Sequence, residues 1–305
     1  MILVANENIP NAKEDLPMYS SEKGQGRDII RGIELLNELS GLEYFLNIGY
    51  ADSFFEYWLL TPGISSKRLT SKMIEPVSDQ KIENILVIGA GKGGELVLLN
   101  ELTKAKIVGI EPSTNNLAHA RRLINKKNKS EEIKVIQGVA EDLPFPKESF
   151  SCVYSCEAAF HFDDKRTFIK EAHKVLKEKG FLIIGDITKK PRPSQNNIFQ
   201  NYKNMLNADE FFTREMYLDI IEETFNRRPK IYDITDKNIK HLAHGSKLLL
   251  CIFEYLDKLP LLKMKIDKCL KKRGIDQSTF LENIKTTKLS YEKSMVEYLK
   301  IVCVK

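Results

Sequence analysis

An apolar run that leads directly into a glycine-rich loop constrains the fold of this chain more than any other feature. Residues 85–94 read ILVIGAGKGG, and an apolar, helix-compatible run from Glu95 to Leu99 follows them. A short apolar run that ends in glycine is typical of a buried strand in a parallel sheet. Strand, glycine loop and helix bring backbone N–H groups to a helix N-terminus, where a ligand can lie against the main chain. The stretch therefore predicts a nucleotide-binding loop.

Runs of strand length recur along the chain and alternate with helical patterns. After a helix expected at about 94–103, further strands are expected at Ile107–Ile110, Lys134–Gly138, Phe150–Cys156, Phe181–Ile187, Lys230–Ile234 and Tyr298–Val304. The helix before the fifth strand is predicted to stop at Lys179-Gly180, and another is predicted over residues 211–225. This rhythm predicts an α/β fold with a doubly wound, seven-stranded sheet of the Rossmann-like kind.

Four segments are expected on the same pattern. Residues 1–75 form an N-terminal arm and helical lid, residues 76–237 the Rossmann-like core, residues 238–292 a helical insertion, and residues 293–305 the last strand of the core. The insertion is unusually apolar at 248–253 and 259–262. It is either a subdomain that buries its own face or a cap over the substrate, and the second interpretation is favoured because loops beyond the strand ends carry function.

Composition narrows the class of protein. The 305 residues carry a net charge of +5 without a long Lys/Arg block, which indicates no nucleic-acid partner. Five cysteines without paired spacing favour a reducing, cytoplasmic compartment. Neither a signal peptide nor a transmembrane helix is expected from the apolar runs, so no stable membrane insertion is predicted. A homo-oligomer stays open.

The glycine loop by itself fits two cofactors. Gly89-x-Gly91-x-x-Gly94 satisfies the dinucleotide fingerprint, and Gly89-x-Gly91-x-Gly93 satisfies an S-adenosylmethionine loop. Glu111 ends the second predicted strand twenty residues after Gly91. A carboxylate at that place can accept hydrogen bonds from both hydroxyls of an adenosine ribose.

Several motifs in order resemble class I S-adenosylmethionine-dependent methyltransferases. Residues 85–94 resemble the first motif of that family, and Glu111 sits where the family holds the ribose. The other matching segments are GVAEDLPFP at 138–146, the strand end at 157–161, RTFIKEAHKVLKEKG at 166–180, and NIGY at 47–50, which is similar to a segment of the ubiquinone-biosynthesis-like branch of small-molecule methyltransferases.

The resemblance implies a cofactor, a reaction and a set of site residues. The cofactor is S-adenosylmethionine, and the reaction is an in-line transfer of its methyl group to a small, partly apolar acceptor through O-, N- or C-methylation. No metal is implied. The cofactor-binding residues are expected to be Gly89, Ala90, Gly91, Gly93, Glu111, Pro112, Ala140, Glu141 and Cys156.

Three residues are candidates for catalysis. His161 is the leading candidate for a general base, although a packed histidine with one hydrogen bond fits the sequence nearly as well. Glu157 could act as base, orient the acceptor, or bond the loop backbone. Tyr50 either closes over the cofactor or covers the core.

The chain departs from the family pattern at Val87, where an acid is usual. An acid there can help to hold the amine of the methionine, so its loss removes one contact to the cofactor. Two alternatives are kept. The loss at Val87 motivates a catalytically degenerate methyltransferase fold used for binding, and the dinucleotide fingerprint allows a nicotinamide-dependent oxidoreductase.

Overall fold

A computed structural model describes residues 47–53, 56, 62–191, 197–206, 208, 210–256, 258–272 and 276–305. Most of the predicted N-terminal arm and lid therefore lies outside the described residues. Tyr50 is within them.

Seven strands form one mixed sheet at the centre of the described residues. They are β1 (Asn84–Ile88), β2 (Lys106–Glu111), β3 (Ile133–Gln137), β4 (Phe150–Cys156), β5 (Leu176–Lys189), β6 (Lys230–Asp233) and β7 (Val296–Val304). Their order is β3-β2-β1-β4-β5-β7-β6. β7 is antiparallel to both β5 and β6, whereas β1 is parallel to β2 and β4. The predicted α/β fold class is confirmed.

The sheet is covered on both faces, as its apolar strands require. All five residues of β1 are buried. Val87 faces a layer that contains Leu96 and Tyr154, while Leu86 on the other face packs with a layer that contains Phe168. Because β1 has a strand on each side and an apolar layer on each face, it forms the middle of the fold.

Nine helices surround this sheet in the described residues. They are α1 (Pro62–Ile74), α2 (Gly94–Thr103), α3 (Thr114–Lys126), α4 (Lys165–Val175), α5 (Asn197–Leu206), α6 (Arg214–Phe225), α7 (Ile239–Leu256), α8 (Pro260–Lys272) and α9 (Gln277–Glu292). Side-chain oxygens of Ser113, Asp164, Thr213 and Asp276 cap α3, α4, α6 and α9 by accepting hydrogen bonds from backbone N–H groups. The helices α7, α8 and α9 form the insertion before the last strand.

The predicted end of the helix before β5 is wrong. That helix stops at Val175, and β5 already begins at Leu176. Leu176 pairs with Phe150 of β4, while Lys179 donates its N–H to the carbonyl of Lys305 and Gly180 accepts from the N–H of Lys305. Hydrogen bonds to strands distant in sequence therefore extend the strand across a Lys-Gly pair that looks locally like a helix end.

The start of one helix and the presence of another also differ from the sequence-based expectation. The helix predicted from residue 211 begins at Arg214 behind its cap Thr213, and α5 is present although no pattern predicted it. None of the described helices is both long and apolar enough to span a lipid bilayer.

A buried ion pair joins α4 to β5. Lys165 Nζ lies 3.0 Å from Asp186 Oδ2, and the side chains are 1% and 0% exposed. The hydroxyl of Tyr217 donates to the same oxygen at 2.6 Å. A second pair, between Lys177 and Glu83, has the same separation of 3.0 Å but side chains that are 35% and 44% exposed.

We expect Lys165→Met to lower the free energy of unfolding by about 3–5 kcal/mol, because it leaves the Asp186 carboxylate buried without its partner. Lys177→Met is the matched control and should cost less than about 1 kcal/mol, because solvent screens that pair. Urea unfolding of both variants measures the difference. Equal costs would contradict a structural role for the buried pair.

Candidate active site

The candidate site lies where the chain reverses direction across the sheet. From β1 the chain passes to β2 and β3 on one side, and β4 pairs on the other side of β1. In open α/β sheets this switch point leaves a crevice beyond the carboxyl ends of the strands, and ligands bind there. The glycine loop, Glu111 and Glu157 each follow or end one of the three strands at this place.

The glycine loop has a backbone that only glycine adopts without strain. Gly89, Gly91 and Gly93 have φ angles of 76°, 52° and 89°. A Cβ atom at Gly89 would lie 2.3 Å from the Cβ of Ala158, and one at Gly93 would lie 3.0 Å from Ala120. The loop is also anchored, because the N–H groups of Gly89 and Ala90 both donate to the carbonyl of Ile110 at 2.9 Å. The loop therefore forms a fixed cradle of backbone groups.

Glu111 braces this cradle. Its Oε2 accepts from the N–H of Gly91 at 2.8 Å, and its Oε1 accepts from the N–H of Ser113 and from Nδ2 of Asn116, both at 3.1 Å. Only 6% of the residue is exposed, and burial raises the pKa of its carboxyl. The acid predicted to hold a ribose therefore lies against the predicted cofactor loop.

The remaining predicted cofactor residues lie along the same edge of the sheet. The carbonyl of Pro112 accepts from Nε2 of Gln137 at 3.2 Å, and Ala140 is buried. Glu141 is partly buried and accepts from the N–H of Asp164 at 3.2 Å, and burial raises its pKa. Their contact with a cofactor stays a prediction.

Glu157 holds a carboxyl group inside the site. The residue follows β4 in the left-handed region, with φ 51°, and its N–H donates to the carbonyl of Gly185. Part of the residue reaches the surface, but its Oε1 is buried and has no hydrogen-bond partner among the described residues. Burial, reinforced by the negative charge of Glu95, raises the pKa of Glu157 to about 8. The group is a buried acid with one unused oxygen.

Residues 47–51, which we call the cover segment, lie over this acid. The N–H of Ile48 donates to Glu157 Oε2 at 2.9 Å. Nδ2 of Asn238 donates to the carbonyl of Gly49 at 2.6 Å, and Nε2 of His241 is 3.0 Å from the carbonyl oxygen of Ala51. The segment is therefore tied both to the end of β4 and to the start of the insertion.

Tyr50 belongs to this cover segment. Its N–H donates to the carbonyl of Ser65 at 2.9 Å, and its partly buried side chain packs against the core layer that contains Val87. Burial, with the charge of Asp52, raises the pKa of its hydroxyl. A role in closing over a cofactor stays a prediction.

Glu95 is a site residue that the sequence interpretation missed. Its Oε1 accepts from Nδ2 of Asn47 at 3.1 Å, from Oγ1 of Thr70 at 3.0 Å and from the hydroxyl of Tyr154 at 3.3 Å. Burial raises the pKa of its carboxyl. The available signal was a carboxyl group at the first turn of an otherwise apolar helix, directly after the glycine loop.

His161 and Cys156 flank Glu157 in sequence. His161 ends a 3₁₀ turn, Ala159–His161, and its ring centroid lies 4.4 Å from that of Phe160. Cys156 is buried, with its Sγ 3.6 Å from the hydroxyl of Tyr298. Among the described residues, no group of three or more His, Cys, Asp or Glu side chains could hold a metal ion.

A group of rings, which we call the aromatic wall, follows from Phe160. The ring of Phe211 lies at centroid distances of 6.2, 5.6 and 6.1 Å from Phe160, Phe199 and Tyr202. All four residues are buried. The sequence interpretation missed this wall, because it joins α5 and the segment before α6 to the turn after β4.

The described geometry fits a nucleoside cofactor with an attached amino acid. The cradle leaves no room for a Cβ at Gly89 or Gly93, and Glu111 supplies carboxylate oxygens next to it. The buried oxygen of Glu157 without a partner adds an acceptor at the neighbouring strand end.

Comparison with known proteins points to one domain family. Residues 86–184 match the family model described as "Methyltransferase domain". The chain is 25% identical to (+)-O-methylkolavelool synthase of Herpetosiphon aurantiacus over 182 residues. The matched region covers 59% of this chain and 63% of that protein. The chain is 30% identical to erythromycin 3''-O-methyltransferase of Saccharopolyspora erythraea over 149 residues. The matched region covers 47% of this chain and 46% of that protein. The chain thus spans less than two thirds of the length of both relatives.

Solved structures extend the likeness across the chain. Geranyl diphosphate C-methyltransferase from Streptomyces coelicolor A3(2), solved with geranyl diphosphate and S-adenosyl-L-homocysteine, has a TM-score of 0.67 at 14% identity and covers 92% of this chain and 97% of its own. Phosphoethanolamine N-methyltransferase 2 of Haemonchus contortus has a TM-score of 0.68 at 17% identity, covering 94% of this chain and 59% of its own. At these identities the likeness establishes the fold.

The buried carboxyl of Glu157 makes a pH-dependent contribution to stability. A carboxyl whose pKa is raised in the folded state keeps its proton while the unfolded chain releases it, so the free energy of unfolding falls as pH rises from about 4.5 to about 8. Glu157→Gln removes this term. We expect the variant to gain about 2 kcal/mol relative to the wild type between pH 6 and pH 8.

Urea unfolding across that pH range measures the gain. The exposed Glu101 on α2 provides the matched control, since Glu101→Gln should change stability by an amount that is constant with pH. A constant difference for Glu157→Gln as well would contradict the raised pKa.

Proposed function

We propose that this chain, whose core is a class I S-adenosylmethionine-dependent methyltransferase domain, transfers a methyl group to a hydroxyl of a small, partly apolar acceptor. The observation that carries the proposal is the buried, unpartnered oxygen of Glu157 beside the glycine cradle. A buried carboxyl oxygen kept without a partner costs stability, and such groups are typical of functional sites.

The cradle and Glu111 are the groups that hold the cofactor in this proposal. Glycines 89, 91 and 93 let the nucleoside approach the backbone, and the Glu111 carboxylate accepts from ribose hydroxyls. Ala140 and Glu141 lie near the base. When bound, S-adenosylmethionine supplies a methyl group on a positively charged sulfur.

The aromatic wall supports an acceptor with an apolar part. Its buried rings adjoin the turn that follows Glu157, and the proposal places the apolar skeleton of the acceptor beside them and its hydroxyl at the carboxyl. Both curated relatives described above carry names of enzymes that methylate oxygen. These two observations together favour O-methylation over N- or C-methylation.

Glu157 takes the base role in this proposal, and His161 orients the acceptor. A hydroxyl must lose its proton as the new O–CH₃ bond forms, and an ionised carboxyl with a raised pKa is a stronger proton acceptor than an ordinary one. The cover segment, including Tyr50, excludes water from the same carboxyl because Ile48 closes directly onto it.

Cofactor binding tests the proposal first. We expect Glu111→Ala to weaken the binding of S-adenosyl-L-homocysteine about 10- to 100-fold in isothermal titration, because hydrogen bonds to a charged group are lost. Glu101→Ala on the exposed face of α2 should leave binding unchanged. Thermal unfolding of both variants controls for misfolding.

The same titration separates the alternatives. Binding of NADH in place of S-adenosyl-L-homocysteine would favour the nicotinamide-dependent oxidoreductase. Cofactor binding without methyl transfer to any tested acceptor would favour the degenerate fold that Val87 motivated. Absence of any binding at millimolar S-adenosyl-L-homocysteine would overturn the proposed function.

Methyl transfer tests the base assignment. With an acceptor identified by transfer of labelled methyl groups to a panel of partly apolar alcohols, kcat/KM should rise with pH up to about 8, since Glu157 must be ionised. Glu157→Gln should lower kcat/KM by about 100-fold or more and abolish the rise. His161→Ala should keep the pH dependence. A pH dependence that vanishes with His161→Ala instead would reverse the two roles.

A further inference from the structure

Large apolar side chains are exposed along one stretch of the insertion. Of the nine large hydrophobic residues exposed in the described part of the chain, six fall between residues 248 and 264. They are Leu248 (44%), Ile252 (45%), Tyr255 (63%), Leu259 (40%), Leu261 (77%) and Met264 (67%). Exposed apolar residues concentrated in this way mark an interaction surface.

Helical spacing places these residues on continuous faces. Leu248, Ile252 and Tyr255 follow one another at intervals of four and three along α7, so they share one side of that helix. Leu259 stands in the short connection, and Leu261 and Met264 share the outward side of α8. We call these six residues the apolar stripe.

Lysines accompany the apolar stripe on α8. Lys265, Lys268 and Lys271 are exposed and lie four, seven and ten residues after Leu261, at spacings that return to the same side of the helix. None of the three forms an ion pair with another residue that the structure describes. Asp267, the acid within α8, is partly buried.

The sequence around α8 is correspondingly basic. Residues 255–272 contain six lysines against two aspartates, a net charge of +4 in an overall charge of +5. A helix face with leucine and methionine between lysines can make two kinds of contact with a lipid bilayer. Its apolar side chains can enter hydrocarbon, and its ammonium groups can reach anionic headgroups.

We propose that the apolar stripe and the lysines of α8 bind the surface of an anionic lipid bilayer. The occupant is a bilayer because the two kinds of side chain alternate on one face. A nucleic acid would attract the lysines but leave Leu261 and Met264 in contact with charged phosphates. An acidic protein surface would likewise leave the most exposed apolar side chains without apolar partners. This inference concerns a surface outside the candidate active site and does not depend on the proposed function.

Vesicle co-sedimentation of the full chain tests the proposal. We expect at least about tenfold tighter binding to vesicles of phosphatidylserine and phosphatidylcholine than to pure phosphatidylcholine, with weakening as salt is raised. Lys265→Gln, Lys268→Gln and Lys271→Gln together should weaken binding about 100-fold, since each lysine near an anionic surface contributes about fivefold. Leu261→Ser with Met264→Ser should weaken it by about tenfold or more.

Matched controls come from the core, outside the insertion. Lys106, Lys126 and Lys127 are exposed lysines of the core, and Leu102 is an apolar residue that is 47% exposed. Replacing the three lysines together by glutamine, or Leu102 by serine, should leave vesicle binding within about twofold of the wild type. If the triple lysine variant of the core loses as much vesicle binding as the triple variant of α8, the attraction depends on net charge alone. That result would overturn the proposal that this face binds the bilayer.

A label on Cys251 reports directly on this face. Cys251 is exposed on α7 next to Ile252, whereas Cys152, Cys156 and Cys303 are buried. In a Cys269→Ser background, an environment-sensitive fluorophore on Cys251 should shift its emission to the blue with phosphatidylserine vesicles and stay unchanged with phosphatidylcholine.

Three results would overturn the proposal. They are absence of binding to phosphatidylserine vesicles, equal binding to both vesicle types, and unchanged emission from Cys251 in bound protein. Lipid-independent self-association that Leu261→Ser with Met264→Ser abolishes would also overturn it, because the face would then bind a second copy of the chain.

Discussion

The pairing of β1 between β2 and β4 is the constraint on which the rest of the structure depends. Every residue of β1 is buried, so the strand requires a hydrogen-bonded neighbour on each side and apolar cover on each face. The chain meets this requirement by leaving β1 in one direction and returning on its other side. The crevice that results collects three separate strand ends, and the glycine cradle, Glu111 and Glu157 meet there because each belongs to one of them.

The parts of this site that depend on local sequence are predictable, and those that depend on distant contacts are not. The strand bounds of β1, the glycines and Glu111 follow from apolar runs and from spacing. The cover segment does not, since Ile48 is 109 residues from Glu157 and Gly49 is 189 residues from Asn238. The start of β5 at Leu176 is likewise set by distant contacts, because pairing with β4 overrides a local pattern that is typical of a helix end.

Glu95 and Glu157 are two buried carboxyl groups whose burial is offset to different degrees. Burial raises the pKa of both carboxyls, so each costs folding free energy where the unfolded chain would be ionised. Glu95 recovers part of that cost through three donors on the cover segment, α1 and β4. Glu157 recovers less, because one backbone donor, Ile48, bonds its Oε2 and its buried Oε1 has no partner among the described residues. Glu95 therefore braces the cover segment, and the reactive role of Glu157 stays a prediction.

The position of β7 has a consequence for how the chain must be made. β7 enters the sheet between β5 and β6, and β6 pairs with no other described strand. During synthesis the edge of β5 therefore stays open until residues 296–304 have left the ribosome, and β6 has nothing to join. An unpaired apolar edge invites pairing with other chains. Nascent copies of this protein thus pass through a stage, more than a hundred residues long, in which aggregation competes with the arrival of their own last strand.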